Sequence, residues 1–403
     1  MKDKVVLAFS GGLDTSFCVK YLSDDKGLEV HSVIVNTGGF TAEELNDIEE
    51  RALTLGVCSH TVLDVEDEYY KNYIRYMIFG NVLKNSTYPL SVSSERTLQA
   101  MAIARYARGT GAKYIAHGST GAGNDQVRFD LIFMSLVPEI QIITPIRELR
   151  LSRDAEIEYL KNKGVHADWK KLEYSINKGL WGTSIGGKET LTSNLPLPET
   201  AYPSQIQNFE DEIMTITFEA GEITKVNGIA YSQVQAAIRE IERIASAHAI
   251  GRDMHIGDTI IGIKGRVGFE AAASLIIIKA HHALEKHVLT KWQSYWKEQL
   301  ANWYGMLLHE GQYLDPVMRN IEKFLDDTQQ HITGEVTIRL KSYHFDIQGI
   351  SSNFDLMNSG FGTYGEMNSG WTGDDVKGFT KILGNQLRIY QSVNDTNALS
   401  DNR

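Results

Sequence analysis

KVVLAF, residues 4–9, runs directly into SGGLDTS, residues 10–16. An apolar run of this length reads as a buried strand, and Asp14, Thr15 and Ser16 open a helical pattern behind it. Gly11 and Gly12 allow a tight turn in which the backbone approaches an anion with no Cβ in the way. The new helix aims free N–H groups at the same spot, and Ser10, Thr15 and Ser16 add hydroxyl donors. This is a construction for holding pyrophosphate. It is not a Walker loop, because no lysine follows the glycines.

Outward from this junction, apolar runs alternate with helical patterns. LEVHSVIVN (28–36) reads as the second strand, and Thr41 with Glu44 forms a capping box for a helix with inner face Leu45, Ile48, Ala52 and Leu55, stopped by Gly56. SHTVLDV (59–65), KYIAHG (113–118, after a helix around Leu98, Met101 and Arg105) and IQIITPI (140–146) complete the set, and DAEIEYLKNKG (154–164) is a closing helix. The alternation predicts an α/β domain with a parallel sheet, whose ligands bind at the carboxyl ends of the strands. SGGLDTS, NTGG (36–39) and HGSTGAGND (117–125) each follow a strand and are expected to meet in one crevice.

The pattern then changes. SIGGKETLTSNLPLPETAYP (184–203), with Pro196, Pro198 and Pro203, reads as a long ordered connector. IMTITFEA (213–220) is strand-like, and a helix from Ser232 carries Val234, Ala237, Ile238, Ile241 and Ala245 on one face. After GDTIIGIKGRVGF (257–269) come long helices to about residue 330, then a hairpin of EVTIRLK (335–341) and YHFDIQGI (343–350). Residues 351–374 are rich in Ser, Asn and Gly. The helix expected at 376–391 bears Phe379, Ile382, Leu383, Leu387 and Tyr390, a stripe that packs either on a neighbouring subunit or back on its own domain.

At 403 residues the chain exceeds one ordinary core, so two domains are expected. A net charge of −11 argues against non-specific binding to nucleic acid or anionic lipid. Cys18 and Cys58 are the only cysteines, too few for a disulfide framework or a zinc site, and fit a reducing, cytoplasmic setting. SLIIIKAHHAL (274–284) is too short and too interrupted to span a bilayer.

The form of SGGLDTS resembles the PP-loop of ATP pyrophosphatases. Together with HGSTGAGNDQVRFD (117–130) and IKGRVGFE (263–270), in that order, nearly the whole chain resembles the argininosuccinate synthases. The resemblance implies a PP-loop (adenine nucleotide α-hydrolase-like) domain at 1–166, an α+β synthetase domain at 167–365, and a C-terminal helical arm at 366–403 joining a homotetramer. It implies ATP-dependent ligation of citrulline with aspartate, through a citrulline adenylate, to argininosuccinate, AMP and pyrophosphate in arginine biosynthesis. Mg²⁺ would arrive on ATP, and no metal ligand is assigned to the protein. Carried over by position, Ala8, Phe9, Ser10, Gly11, Gly12, Leu13, Asp14, Thr15, Ser16, Val35 and Gly118 meet ATP. Thr120, Asn124 and Asp125 meet aspartate, while Tyr88, Ser93, Asn124, Arg128, Ser175 and Ser184 meet citrulline. His117 reads as a structural or nucleotide-packing residue.

The chain departs from the family pattern at Ala122, where a lysine is usual, and at Asn36 and Gly39. It also has Gly257 and Phe269 where a glutamate and a tyrosine fix the α-amino end of citrulline. An unpaired ammonium in a closed pocket is costly. Either Asp258 or Glu270 takes over, or the substrate is an Nα-acylated citrulline such as the acetyl or succinyl derivative. Two other readings stand beside this one. Another PP-loop adenylating ligase would need reactive cysteines, a glutaminase or a basic RNA surface. A non-catalytic nucleotide-binding paralogue would need none of the substrate contacts.

Overall fold

The computed structural model describes residues 2–166, 174–358, 360, 362, 364–366 and 370–394. Residues 167–173, where the first two expected domains join, lie outside the described residues. Two compact units are present, residues 1–354 and 355–403.

The first unit begins with a parallel sheet of β1 (Lys4–Ala8), β2 (Glu29–Asn36), β3 (Ser59–Asp64), β4 (Tyr114–Ala116) and β5 (Gln141–Ile143). Their spatial order is β3-β2-β1-β4-β5, every neighbouring pair parallel. The five apolar runs are the five strands. Val5, Val6 and Leu7 are fully buried because helices cover both faces of the sheet. The chain builds outward from β1 to β3, then returns to lay β4 on the other side of β1. That reversal brings the loops after β1 and β4 together at one sheet edge, where α/β proteins bind ligands. The capping box of the helix Ala42–Leu55 forms as expected, with Thr41 Oγ1 accepting from Glu44 N and Glu44 accepting from Thr41 N, and Gly56 ends the helix at φ 95°.

A second, antiparallel sheet contains β6 (Ser175–Gly179), β7 (Gly182–Gly186), β11 (Arg252–Asp258) and β12 (Lys264–Glu270) in the order β11-β12-β7-β6. A third contains β8 (Glu212–Glu219), β9 (Glu222–Val226), β10 (Ile229–Ala230), β13 (Gly334–Lys341) and β14 (His344–Ser351), in the order β10-β9-β8-β13-β14. The hairpin expected at 335–350 is the β13–β14 pair. The apolar segment 274–284 lies in the helix Ala272–Val288, whose Ile276 and Ile277 are wholly buried. Among the described residues no helix is long and apolar enough to cross a membrane.

Residues 69–82 precede β4 in sequence, yet they lie in the core built mostly by residues 180–345. Tyr69, Tyr73, Met77 and Phe79 share one apolar cluster with Trp181, Phe218, Ile276, Tyr304 and Val336. The parallel sheet is thus fastened to the rest of its unit by buried aromatic area, at roughly 25 cal/mol per Å² of apolar surface.

In the second unit, the single helix expected at 376–391 is two helices, Gly373–Leu383 and Asn385–Val393, separated at Gly384. Phe379, Ile382, Leu387 and Tyr390 are all exposed.

Candidate active site

A cavity of about 1290 Å³ opens at the carboxyl ends of β1 and β4. Its floor is the SGGLDTS turn. Gly11 has φ 76°, a left-handed conformation that favours glycine, and its carbonyl accepts from Arg51 Nη1 at 2.6 Å. Ala8, Phe9, Ser10, Gly12, Leu13, Asp14 and Thr15 line the cavity. Ser16 is fully buried and its hydroxyl donates to Gly12 O at 2.8 Å, so it braces the helix Leu13–Lys20 instead of offering a donor to a ligand.

The β4 loop closes directly on this turn. A Cβ at Gly118 would stand 3.3 Å from Asp14 and Thr15 atoms, which is why the smallest residue occupies that place. His117 lines the cavity, is almost wholly buried, and both its ring nitrogens are engaged. Its Nδ1 accepts from Ser119 N, leaving Nε2–H to donate to Asp130 at 3.0 Å, and Arg147 holds the other Asp130 oxygen at 2.6 Å. Burial pushes the Asp130 carboxyl up, but the bonds from His117 and Arg147 outweigh it and keep it below its ordinary range. Both ring nitrogens being occupied fits the structural or nucleotide-packing role expected from the sequence.

NTGG does not join the other two turns. Val35 and Phe40 on either side line the cavity. Between them, Gly38 O accepts from Arg239, and Gly39 lies so close to Lys178 that a Cβ would meet its carbonyl oxygen at 2.4 Å. The segment serves as a seat for β6, because packing against the second sheet took priority over facing the crevice.

Beyond the β4 loop, Thr120, Asn124, Asp125 and Arg128 all line the cavity. Asn124 is the N-cap residue of the helix Asp125–Leu136 but makes no side-chain cap. Its Oδ1 accepts from Ile260 N at 2.9 Å instead. Asp125 lies between two guanidiniums, receiving Arg96 Nε at 3.0 Å and Arg128 Nη1 at 2.9 Å. Burial raises its pKa, and the two arginines outweigh that and hold it below the ordinary carboxylate range. Arg128 is buried and also donates Nε and Nη2 to His309 O, at 3.0 and 2.8 Å.

One face of the second sheet forms the opposite wall. Strand alternation puts His255 and Gly257 of β11, Gly265 and Val267 of β12, Ser184 and Gly186 of β7, and Ser175 and Asn177 of β6 on the cavity side. Phe269 pairs with Ser184 on the same face but is fully buried, with its ring 5.4 Å from that of Tyr88. Tyr88 accepts from Ser91 Oγ at 3.1 Å and stacks on His255 at 5.1 Å. Ser93 lines the cavity and donates to Leu90 O.

Four residues that the sequence reading did not single out belong to these walls: Glu95, Arg96, His255 and His309. Glu95 is buried, with Oε2 accepting from Thr37 Oγ1 at 2.7 Å. Burial pushes its pKa up to about 8 against the opposing pull of Arg96. A signal was available, since Glu95 shares the buried stripe of the helix Ser91–Gly109 with Ser91, Leu98 and Ala102. A carboxylate on an inward face points to a role in polar chemistry or specificity more often than to packing.

A five-stranded parallel sheet with a glycine turn and no Walker lysine defines a PP-loop nucleotide-binding domain of the HUP class. Residues 4–166 match the arginosuccinate synthase N-terminal HUP domain, and residues 174–390 match the arginosuccinate synthase C-terminal domain. The chain is 39% identical to the argininosuccinate synthase of Dictyoglomus turgidum over 98% of its own length and 100% of that protein. It is 36% identical to that of Methanocaldococcus jannaschii over 97% and 98%, and 35% identical to that of Pyrococcus furiosus over 99% and 98%. The chain belongs to the argininosuccinate synthase family.

Proposed function

We propose that this protein ligates a citrulline-type ureido amino acid to aspartate at the expense of ATP, yielding an argininosuccinate-type product, AMP and pyrophosphate, as a step of arginine biosynthesis. The ureido oxygen is a poor leaving group. It attacks the α-phosphorus of ATP, breaking the α–β bridge and releasing pyrophosphate. The aspartate amine, having lost its proton, then attacks the ureido carbon of the adenylate, and AMP leaves with the oxygen. Chemistry of this kind depends mainly on alignment and on fixed charges.

One observation carries the reading: the β1 and β4 loops touch at Gly118, and the cavity they floor also holds Asn124, Asp125, Arg128, Ser175 and Ser184. The Gly12–Asp14 turn and the N-terminus of its helix receive the phosphates. Thr120, Asn124 and Asp125 take the aspartate, with Asp125 kept ionised to meet an ammonium. Arg128, Ser175, Ser184, Tyr88 and Ser93 hold the ureido amino acid, either free citrulline or its Nα-acyl form. Mg²⁺ accompanies ATP on its phosphates. Among the described residues no three His, Cys, Asp or Glu side chains form a metal-binding group.

In this reading residues 1–166 bind nucleotide, 167–365 complete the site, and 366–403 join a homotetramer in the cytoplasm. The exposed apolar residues of the last two helices support the assembly. Phe379→Asp with Leu387→Asp should lower the mass measured by light scattering. A mass equal to one chain in the unaltered protein would refute the tetramer. The ligase reading is tested by incubating the protein with ATP, aspartate and citrulline or Nα-acetylcitrulline. AMP and pyrophosphate should form in equal amounts only when both amino acids are present. Formation of ADP, or of no AMP with any acceptor, would refute it.

A further inference from the structure

The wall formed by β11 ends in a polar corner. His255 is 6% exposed, and its Nδ1 has no hydrogen-bond partner among the described residues. His309, also 6% exposed, likewise has Nδ1 without one, its nearest carboxylate being Glu310 at 3.8 Å. Both rings line the cavity. Burial, then the nearby cations, depresses both, His255 to about 4 with Lys84 contributing, and His309 to about 3 with Arg128 and Lys84 contributing. Each is a neutral imidazole near pH 7, with one N–H to donate.

Among the described residues lining this corner, the carboxylates already have cation partners, and Glu310 beside His309 is not part of the lining. Asp125 is shared with Arg96 and Arg128 and meets the ammonium of aspartate in the ligase reading, and the exposed Asp258 pairs with Lys264 at 2.6 Å. Glu270 is buried against Arg252 at 2.9 Å, outside the cavity. Asp253, exposed on β11, accepts from Met254 N. Of the two candidates expected from the sequence, Glu270 lies outside the cavity, while Asp258 lines it, exposed and paired with Lys264. A carboxylate side chain at position 257 would have to displace His255. A Cβ there would meet His255 Nε2 at 2.6 Å, so His255 lies over the space that a side chain on Gly257 would enter. The ring is fixed from behind by Tyr88, and the loop carrying Tyr88 is tied to β11 by Asn85 Nδ2 donating to Ile256 O at 3.1 Å.

We propose that His255 is a specificity-determining donor, its ring N–H binding the acyl carbonyl of an Nα-acylated ureido amino acid. The inference rests on the ligase reading and names its substrate class. An acylated nitrogen is a neutral amide, which suits a corner holding Arg128 and Lys84. A free α-ammonium would face those cations and have to compete with Arg96, Arg128 and Lys264 for the lining carboxylates Asp125 and Asp258, a costly arrangement in a desolvated site. The α-carboxylate remains matched to Arg128.

The test measures AMP release at saturating ATP and aspartate with citrulline, Nα-acetylcitrulline and Nα-succinylcitrulline. The unaltered protein should favour an acylated acceptor by at least ~10-fold in kcat/KM, the size of one good hydrogen bond or more. The two acyl arms identify which chain fits. His255→Val should erase most of that preference through KM, and His255→Gln, which keeps a donor, should retain it. His255→Val with Gly257→Glu should turn the preference toward free citrulline. A native preference for free citrulline, or a ratio unmoved in His255→Val, overturns the subsite while leaving the ligase intact. Absence of AMP with all three acceptors overturns the ligase reading itself.

Discussion

Replacing Glu95 by Gln removes a titration from the wall of the cavity while keeping the shape of the side chain. Glu95 is 1% exposed, and burial lifts its pKa from an ordinary 4.5 to about 8. In that window the folded chain holds a proton that the unfolded chain has released. The stability tied to this group is therefore complete below the unfolded pKa and is lost as pH rises through the folded one. The loss runs at about 1.4 kcal/mol per pH unit, with a ceiling of roughly 5 kcal/mol over the window. Gln offers the same carbonyl oxygen to Thr37 Oγ1 and Gln99 Nε2, which now donate to Glu95 Oε2 at 2.7 and 3.3 Å. Urea titrations of both proteins from pH 5 to pH 9 measure the difference. Glu95→Gln should gain under ~1 kcal/mol at pH 5, several by pH 8, and no more beyond. The buried imidazoles of His255, His281 and His309, all depressed, titrate with the opposite sign but are common to both proteins and cancel. A gap that stays constant with pH would mean that Arg96 keeps Glu95 ionised in the folded state, and the argument from burial would fail.

Gly118→Ala has no backbone strain to bear, so its cost lies in the 3.3 Å contacts with Asp14 and Thr15. Pushing the two turns apart by a few tenths of an ångström should raise KM for ATP by ~3–10-fold and lower stability by about 1 kcal/mol, measured by initial rates and urea unfolding. Asp125→Asn leaves the Arg96 and Arg128 guanidiniums without their shared anion. Because the carboxylate is 41% exposed toward the cavity, water screens part of the loss, and about 1–3 kcal/mol of stability should go with most of the aspartate affinity. Arg128→Lys replaces two bonds to His309 O by at most one and should cost roughly 1.5–3 kcal/mol, read from the urea midpoint.

The parallel sheet was legible because each of its strands is an apolar run that ends in a turn signal, and because the Thr41–Glu44 box and Gly56 stop are local chemistry. The β6–β7 and β11–β12 pairs were not read as strands. SINKG and GTSIG carry little apolar alternation, and β11 and β12 contain Gly257 and Gly265 because that face borders a cavity and not a core. Strands built to leave space lose the periodicity by which strands are found. The turns at 10–16 and 117–125 were matched to each other by the carboxyl-end rule. NTGG obeyed the same local pattern, yet packing with Lys178 took it elsewhere, which no local signal reports. The Arg96–Asp125 pair joins residues 29 positions apart on different helices, and the Arg128–His309 bond joins residues 181 apart. Such partners are set by the assembled fold.

Arg128 gripping His309 O and Asn124 gripping Ile260 N have a mechanical consequence. Both anchors reach from one short helix end to distant parts of the same compact unit, and each straddles the rim of the cavity. The mouth is therefore propped before any guest arrives. Little of a ligand's attraction is consumed in drawing the walls together, and more is left to hold three reactants in line.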